Sequence, residues 1–167
     1  MKNSLLFDFT VDKATKTVHV NKEFDAELSL VWDAFTKQEI LDQWWAPKPY
    51  KSQTKKMNFK SGGSWFYCMI NPENEVIHWC KADIKKVDAL KNYEMIQYFC
   101  DEHEIINTSM PSHSWKVNFK SIENKTLVTV EISCEKQEHM QMLIDMGFEA
   151  GFTMALGNLD ELLGIKI

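Results

Sequence analysis

The chain contains no arginine. Its 19 basic residues are all lysine and face 24 acidic residues, which gives a net charge of −5. Bidentate recognition of phosphates, carboxylates or guanine relies on the guanidinium fork, which a lysine ammonium group cannot reproduce. The composition therefore argues against a nucleic-acid-binding protein. The basic doublets Lys55-Lys56 and Lys85-Lys86 are better explained as parts of solvated strand faces.

Long hydrophobic runs and paired cysteines are also missing. No apolar run reaches the roughly 18 residues that a transmembrane helix needs, and Asp8 interrupts the apolar stretch that a signal peptide would require. We therefore expect a cytoplasmic protein. The four cysteines show no Cys-x-x-Cys spacing and lie in apolar, strand-like runs, so we expect free thiols, no structural zinc and no cofactor.

The overall composition is that of a globular domain. The chain has 167 residues, of which 44% are apolar and 26% charged, and it contains only 6 glycines and 4 prolines. No internal repeat, low-complexity tract or linker divides it. These values predict one domain over residues 1–167 with a hydrophobic core of its own.

Alternating apolar and polar residues indicate that strands make up most of the chain. Leu5–Val11 and Val18–Phe24 alternate on either side of a polar turn, which predicts an N-terminal hairpin. Further along, turn residues separate a run of antiparallel strands. The strands predicted in this run are Gln53–Phe59, Ser64–Ile70, Val76–Val87, Tyr93–Cys100, His113–Ser121 and Thr126–Cys134.

Two short helices are predicted between the hairpin and this run. Ser29 is placed to cap the first helix. Thr36 and Glu39 have the spacing of a capping box, in which each side chain bonds the other's free amide, and this predicts the start of the second helix. Pro47 then ends it.

The C-terminal part of the chain changes to helical spacing. Apolar residues between Gln137 and Leu163 form one stripe, which predicts a single long helix that spans about 40 Å at 1.5 Å per residue. Glycines in this segment predict a kink or a close backbone approach before Thr153. A curved sheet that grips such a helix leaves a cavity beneath it unless bulky side chains fill the space.

Indole rings are concentrated where this cavity would form. Trp44 and Trp45 are adjacent and are followed closely by Pro47, and Gly62-Gly63-Ser64-Trp65 opens the strand run. Rings of this size must either be buried in the core or line a cavity.

The order of elements and several motifs resemble a known family. The motifs are Val31-Trp32-Asp33-Ala34-Phe35-Thr36, Glu39-Ile40, Trp44-Trp45-Ala46-Pro47, Gly62-Gly63-Ser64-Trp65 and Gly151-Phe152. From about Lys16 to Leu163 the chain is similar to the Hsp90-ATPase-activator-homologue (AHSA1-like) domains of the START-like, or SRPBCC, superfamily. The resemblance implies an α+β helix-grip (START-like, Bet v 1-like) fold, in which a curved antiparallel sheet carries two short helices and a long C-terminal helix.

Two departures limit what the resemblance implies. The eukaryotic co-chaperones with this domain carry an additional N-terminal domain that contacts the chaperone, and we expect none here because the resemblance takes up most of the 167 residues. Leu5–Val11 is also an extra strand ahead of the usual start. An Hsp90-type chaperone is therefore not an expected partner.

Strand alternation assigns residues to the inner face of the sheet. His78, like Tyr67, Gln97 and His113, is expected to point inward, whereas Lys81 and its alternating neighbours face solvent. Pockets of this kind combine aromatic walls with a few placed polar groups, so we expect a small hydrophobic or aromatic-containing ligand. Its predicted binding residues are Trp44, Trp45, Trp65, Tyr67, His78, Gln97, Trp115, Phe148 and Phe152.

Several alternatives remain open at this stage. The chain could be a cyclase-, aromatase- or hydrolase-like enzyme in which His78 and Tyr67 move protons. His78 with Cys80 could form an activated thiol or half a metal site, although ordinary core packing explains them more simply. The family name alone suggests a chaperone-associated, protein-binding module. A homodimer through a sheet edge is also left open.

Overall fold

The computed structural model describes residues 5–166, with side-chain burial described as far as residue 164. The ends of the domain predicted for residues 1–167 thus lie outside the described residues. Within them the chain forms one curved, open antiparallel sheet with helices on its concave face. No helix of the described part is long and apolar enough to cross a membrane.

The sheet of the described chain has eight strands in the order β1-β2-β8-β7-β6-β5-β4-β3. All neighbouring strands are antiparallel, and the predicted strands are confirmed to within about two residues at each end. The strands are β1 (Phe7–Asp12), β2 (Thr17–Phe24), β3 (Lys51–Met57), β4 (Ser64–Ile70), β5 (Val76–Asp88), β6 (Asn92–Cys100), β7 (His113–Ile122) and β8 (Lys125–Ser133).

Strand β3 is one edge of this sheet. Its pairing with β4 shifts between Thr54 and Lys56, so Lys55 bulges out of the ladder. Asp42 accepts hydrogen bonds from the backbone N–H of Thr54 (3.0 Å) and from its hydroxyl group (2.7 Å). This carboxylate therefore ties the edge strand to the helix before it.

The described helices are α1 (Leu28–Thr36), α2 (Gln38–Trp44), α3 (Gln137–Asp145) and α4 (Phe148–Lys166). Both predicted caps are wrong. Helix α1 begins one residue before Ser29, and no side chain caps it. Thr36 is still helical, so its hydroxyl donates back to the carbonyl of Trp32 (2.8 Å), and Lys37 takes the N-cap position of α2.

The long C-terminal helix is confirmed as α4, but the prediction that it starts at Gln137 is wrong. The chain breaks at Gly147, which adopts a left-handed φ of 80° and donates its N–H to the carbonyl of Ile144 (3.0 Å). Glycine adopts this conformation without the steric cost that a Cβ atom brings. The predicted kink before Thr153 is therefore a full interruption that leaves α3 as a separate helix.

The hydrophobic core lies between the concave face of the sheet and α1, α2 and α4. Strands β2 and β8 alternate strictly between buried and partly buried residues, as predicted. On α4, the side-chain amide of Asn158 is buried and donates to the carbonyls of Trp44 (3.5 Å) and Ala46 (3.2 Å). These bonds fasten the end of α2 to the C-terminal helix.

The outer face of the sheet is less solvated than predicted. Phe66 is buried there and stacks on Trp79, with ring centroids 5.3 Å apart. Lys56 and Lys81 flank Phe66 in the β3–β4–β5 register, and both amines reach Glu104 at 2.6 and 3.7 Å. The loop that carries Glu104 thus lies against this face and covers part of it.

Candidate ligand-binding chamber

A cavity of about 280 Å³ lies between the concave face of the sheet and the α3–α4 junction. We call it the inner chamber. Exposed side chains of Tyr50, Ile77 and Met146 surround its mouth. The walls are contributed by β4 to β7, by the residues after α2, by α3 and α4 and by the residue that joins these two helices. They comprise Trp45, Pro47, Tyr67, Met69, His78, Cys80, Gln97, Tyr98, Phe99, His113, Trp115, Leu143, Gly147, Phe148, Gly151 and Phe152.

Trp45 is the central ring of the chamber wall. Its ring centroid lies 5.2 Å from that of Trp65, 5.6 Å from that of Trp115 and 6.1 Å from that of Phe152. Phe148 and Phe152, one turn apart on α4, stack with centroids 5.5 Å apart. Interlocked edge and face contacts of this kind give the chamber a well-defined shape.

Seven of the nine predicted binding residues lie in the chamber wall. Trp44 and Trp65 do not, and both are almost fully buried behind it. Successive helical residues point about 100° apart, so only one of the adjacent tryptophans can face the cavity, and Trp44 instead donates to the carbonyl of Ala34 (2.8 Å). Trp65 donates to the Thr54 hydroxyl (3.0 Å), and the ring of Trp45 packs over it.

Sequence reasoning missed other wall residues. Cys80 and Phe99 follow His78 and Gln97 by two residues, and alternation along the strands places them on the same inward face, although the predicted binding residues did not include them. Gly151 and the residues at the mouth gave no such signal, because they come from loops and from a helix whose rotation was unknown.

A short hydrogen-bonded chain links the polar groups of one wall. Trp45 donates its indole N–H to the Tyr67 hydroxyl oxygen (3.1 Å), and that hydroxyl donates to Gln97 Oε1 (3.0 Å). The Gln97 amide nitrogen in turn donates to Met95 Sδ (3.6 Å). Burial, followed by the neighbouring Cys80, raises the pKa of Tyr67 well above its usual value. Tyr67 is therefore a neutral, positioned hydroxyl group.

The histidines and the cysteine of the chamber are also neutral near pH 7. Burial lowers the pKa of His113 to about 4, and nearby His139 adds to this effect. Burial likewise lowers the pKa of His78 and raises that of Cys80 to about 12. A thiol of such high pKa is not an activated nucleophile, because the thiolate is the reactive form.

A second, larger space lies on the other side of Phe148. This outer groove, of about 1060 Å³, runs between the β1–β2 hairpin and helices α3 and α4, and it shares Leu143, Gly147 and Phe148 with the inner chamber. It is open to solvent: Val11 is 36% and Met154 is 48% exposed. The chamber is the smaller of the two spaces, and it is open to solvent at its mouth beside Tyr50, Ile77 and Met146.

A sheet that grips a C-terminal helix over an aromatic chamber defines a helix-grip protein of the START-like superfamily. The family described as "Activator of Hsp90 ATPase homolog 1-like protein" matches residues 25–164, and the chain belongs to it. The predicted family membership is thus confirmed, although the match begins after β2, later than the predicted start at Lys16.

Solved structures of bacterial proteins have the same fold. A Staphylococcus epidermidis protein is 31% identical, with a TM-score of 0.81, and the alignment covers 95% of both chains. An Arthrobacter aurescens protein is 25% identical, with a TM-score of 0.88 over 94% of this chain and 91% of its own. A Mycobacterium smegmatis protein is 24% identical, with a TM-score of 0.85 over 96% and 97%. The search of curated proteins gave no match.

Proposed function

We propose that this protein binds a small hydrophobic or aromatic-containing molecule in the inner chamber. The observation that carries the proposal is a cavity of about 280 Å³, open to solvent at its mouth, whose walls are mostly aromatic rings with a few fixed polar groups. Small-molecule sites commonly have this composition, because apolar walls supply affinity and isolated polar groups set orientation.

The size of the chamber suits a molecule of two linked or fused rings. A ligand of about 15 non-hydrogen atoms at about 0.3 kcal/mol per atom gains about 4.5 kcal/mol, which corresponds to a dissociation constant somewhat below 1 mM. Good complementarity to the aromatic walls lowers this constant towards the micromolar range. Fluorescence titration measures affinities over that whole range.

The test uses N-phenyl-1-naphthylamine, a neutral aromatic probe whose fluorescence rises in apolar surroundings. Gly151 lines the chamber, and a Cβ atom there would only touch Pro47 (3.9 Å), so Gly151→Leu is expected to fold and to fill the cavity. Gly157 lies on the same helix but lines the outer groove, with nothing within 4 Å of an added Cβ atom. Gly157→Leu is therefore the matched control.

We expect the native protein and Gly157→Leu to bind the probe and Gly151→Leu to lose most of the binding. The reverse pattern would assign binding to the outer groove and overturn the proposal. Failure of the native protein to bind any such probe, together with native mass spectra free of a retained small molecule, would also overturn it.

No geometry in the described chain favours the enzymatic alternative. The Tyr67 hydroxyl already has both a donor and an acceptor, and its raised pKa opposes proton transfer near neutral pH. His78 packs the edge of its ring near Phe99, with centroids 5.4 Å apart, and no carboxylate among the described chamber residues orients it. The proposed function is therefore ligand binding without catalysis.

A further inference from the structure

A hydrogen bond from Trp115, on the same strand β7, fixes which ring nitrogen of His113 carries the proton. The indole N–H of Trp115, two residues along the same strand face, lies 2.6 Å from His113 Nδ1. An indole nitrogen only donates hydrogen bonds, so Nδ1 must accept. In the neutral ring the proton is then on Nε2, which makes that atom a hydrogen-bond donor.

This donor has no protein partner among the described residues. His113 is 9% exposed and lines the inner chamber, yet its only side-chain hydrogen bond uses Nδ1. Of the described side chains, only Ser52 has an oxygen or nitrogen atom that is both sealed from solvent and unpartnered. Nε2 of His113 therefore keeps access to open space, and the space beside His113 is the chamber.

A second amide donor lies beside it. Gln97 is directly opposite His113 in the β6–β7 register, and its Oε1 is already occupied by the Tyr67 hydroxyl. Its amide nitrogen carries two hydrogens, of which Met95 Sδ takes one. Gln97 and His113 thus offer N–H groups side by side at this end of the chamber, and the Gln97 oxygen is already bonded to Tyr67.

The described residues that line the chamber include no lysine, aspartate or glutamate. The titratable groups that line the chamber beside His113 are Tyr67, His78, Cys80 and Tyr98, and His139 on α3 lies near enough to His113 to lower its pKa further. A ligand with a formal charge would lose its hydration here without gaining a counter-ion. The site therefore favours an uncharged ligand that brings its own acceptor.

We propose that His113 is a specificity-determining residue of the chamber: its Nε2–H donates to the carbonyl oxygen of an uncharged ligand whose remaining surface is apolar or aromatic. This inference rests on the ligand binding proposed above and names the class of molecule bound. A carboxylate group in place of the carbonyl would bring a negative charge to a wall that contains no lysine among its described residues.

The test compares ligands that differ only at the acceptor. Benzophenone carries a carbonyl group between two phenyl rings, diphenylmethane has a methylene group there, and diphenylacetate is a charged analogue. Each is titrated as a competitor of N-phenyl-1-naphthylamine. A single hydrogen bond to a neutral group changes affinity by about fivefold, so we expect benzophenone to bind about five times tighter than diphenylmethane. Diphenylacetate is expected to bind weakest.

Two substitutions separate the nitrogens of His113. In His113→Asn the side-chain oxygen takes the place of Nδ1 and still accepts from Trp115, but nothing reaches the position of Nε2. In His113→Gln the amide N–H reaches that position. We expect the preference for benzophenone to disappear in His113→Asn and to persist in His113→Gln, with circular dichroism showing that both variants are folded.

The outcomes decide between the two proposals. Equal affinity for benzophenone and diphenylmethane in the native protein, or a preference that survives in His113→Asn, overturns the role of His113 while ligand binding stands. Binding of the naphthylamine probe without displacement by benzophenone also overturns it. Absence of binding by every compound removes the proposed function itself, and the inference with it.

Discussion

Replacement of Asn158 by leucine tests how the C-terminal helix holds the chamber wall. The Asn158 amide is 8% exposed and donates to the carbonyls of Trp44 (3.5 Å) and Ala46 (3.2 Å). Carbonyls at the end of a helix have no partner within the helix, so they depend on such donors. Leucine keeps a similar volume and removes both bonds.

The expected loss follows from the desolvation of those two carbonyl oxygens. A buried acceptor left without a partner costs about 1–3 kcal/mol. The bond to Ala46 has good length, whereas that to Trp44 is at the limit of a hydrogen bond and contributes less. We therefore expect Asn158→Leu to lower the free energy of unfolding by about 2–4 kcal/mol and the melting temperature by about 5–15 °C.

Urea denaturation, followed by tryptophan fluorescence, measures this difference. Glu161→Gln is the control, because it lies on the same helix and breaks an exposed pair with Lys48 (3.0 Å) that contributes at most about 1 kcal/mol. If Asn158→Leu is as stable as Glu161→Gln, the amide does not fasten α2 to α4 and the reasoning is wrong.

Two further predictions concern pH and glycine. Burial lowers the pKa of His113 to about 4 in the folded protein against 6.5 when unfolded, so the unfolded chain binds the proton more readily. The free energy of unfolding is therefore highest above pH 6.5 and falls as the pH drops towards 4. In urea titrations we expect this fall to be about 3 kcal/mol larger in the native protein than in His113→Gln. A Cβ atom at Gly63 would lie 1.9 Å from the Asn58 carbonyl oxygen, so Gly63→Ala should cost at least about 2 kcal/mol in thermal unfolding. Gly157→Ala, with open space around it, should gain up to about 1 kcal/mol.

Parallel pH profiles for the native protein and His113→Gln would contradict the lowered pKa of the buried histidine. Equal melting temperatures for the two glycine variants would show that the turn at Gly63 relaxes freely and that the contact with Asn58 carries no constraint.

Most of the fold could be predicted because apolar and polar residues alternate along a strand according to which side chains are buried. Inward positions such as Cys80, Val117 and Val130 are buried as the pattern indicates. The capping-box prediction was wrong because the Thr36 hydroxyl can bond either a free amide of α2 or a carbonyl of α1. Only the three-dimensional path of the chain decides that it bonds the Trp32 carbonyl in α1. Gly147 was one of several glycines in its segment, and the sequence does not say which of them takes a positive φ.

The chamber was only partly predictable for a similar reason. Alternation shows which face a ring is on but not how many layers of side chains separate it from an empty space. Trp65 is on the predicted face, but it contacts the rings of Trp45 and Tyr67, which line the cavity, and does not line the cavity itself. The bond from Trp115 to His113 also has a visible signal, the spacing of two on one strand, but it exists only because both rings adopt compatible rotamers.

The lysine-rich edge strand β3 affects the tendency of the protein to aggregate at high concentration. An open sheet exposes a row of unpaired amide and carbonyl groups at its border, which invites another chain to add itself as a further strand. Here Lys51 and Lys55 place positive charge along that border, and the bulge at Lys55 interrupts the row. Pairing of β3 with the same strand of a second molecule would bring lysine side chains close together, and the bulge would disturb the hydrogen-bond ladder. Edge-to-edge aggregation through β3 is therefore opposed.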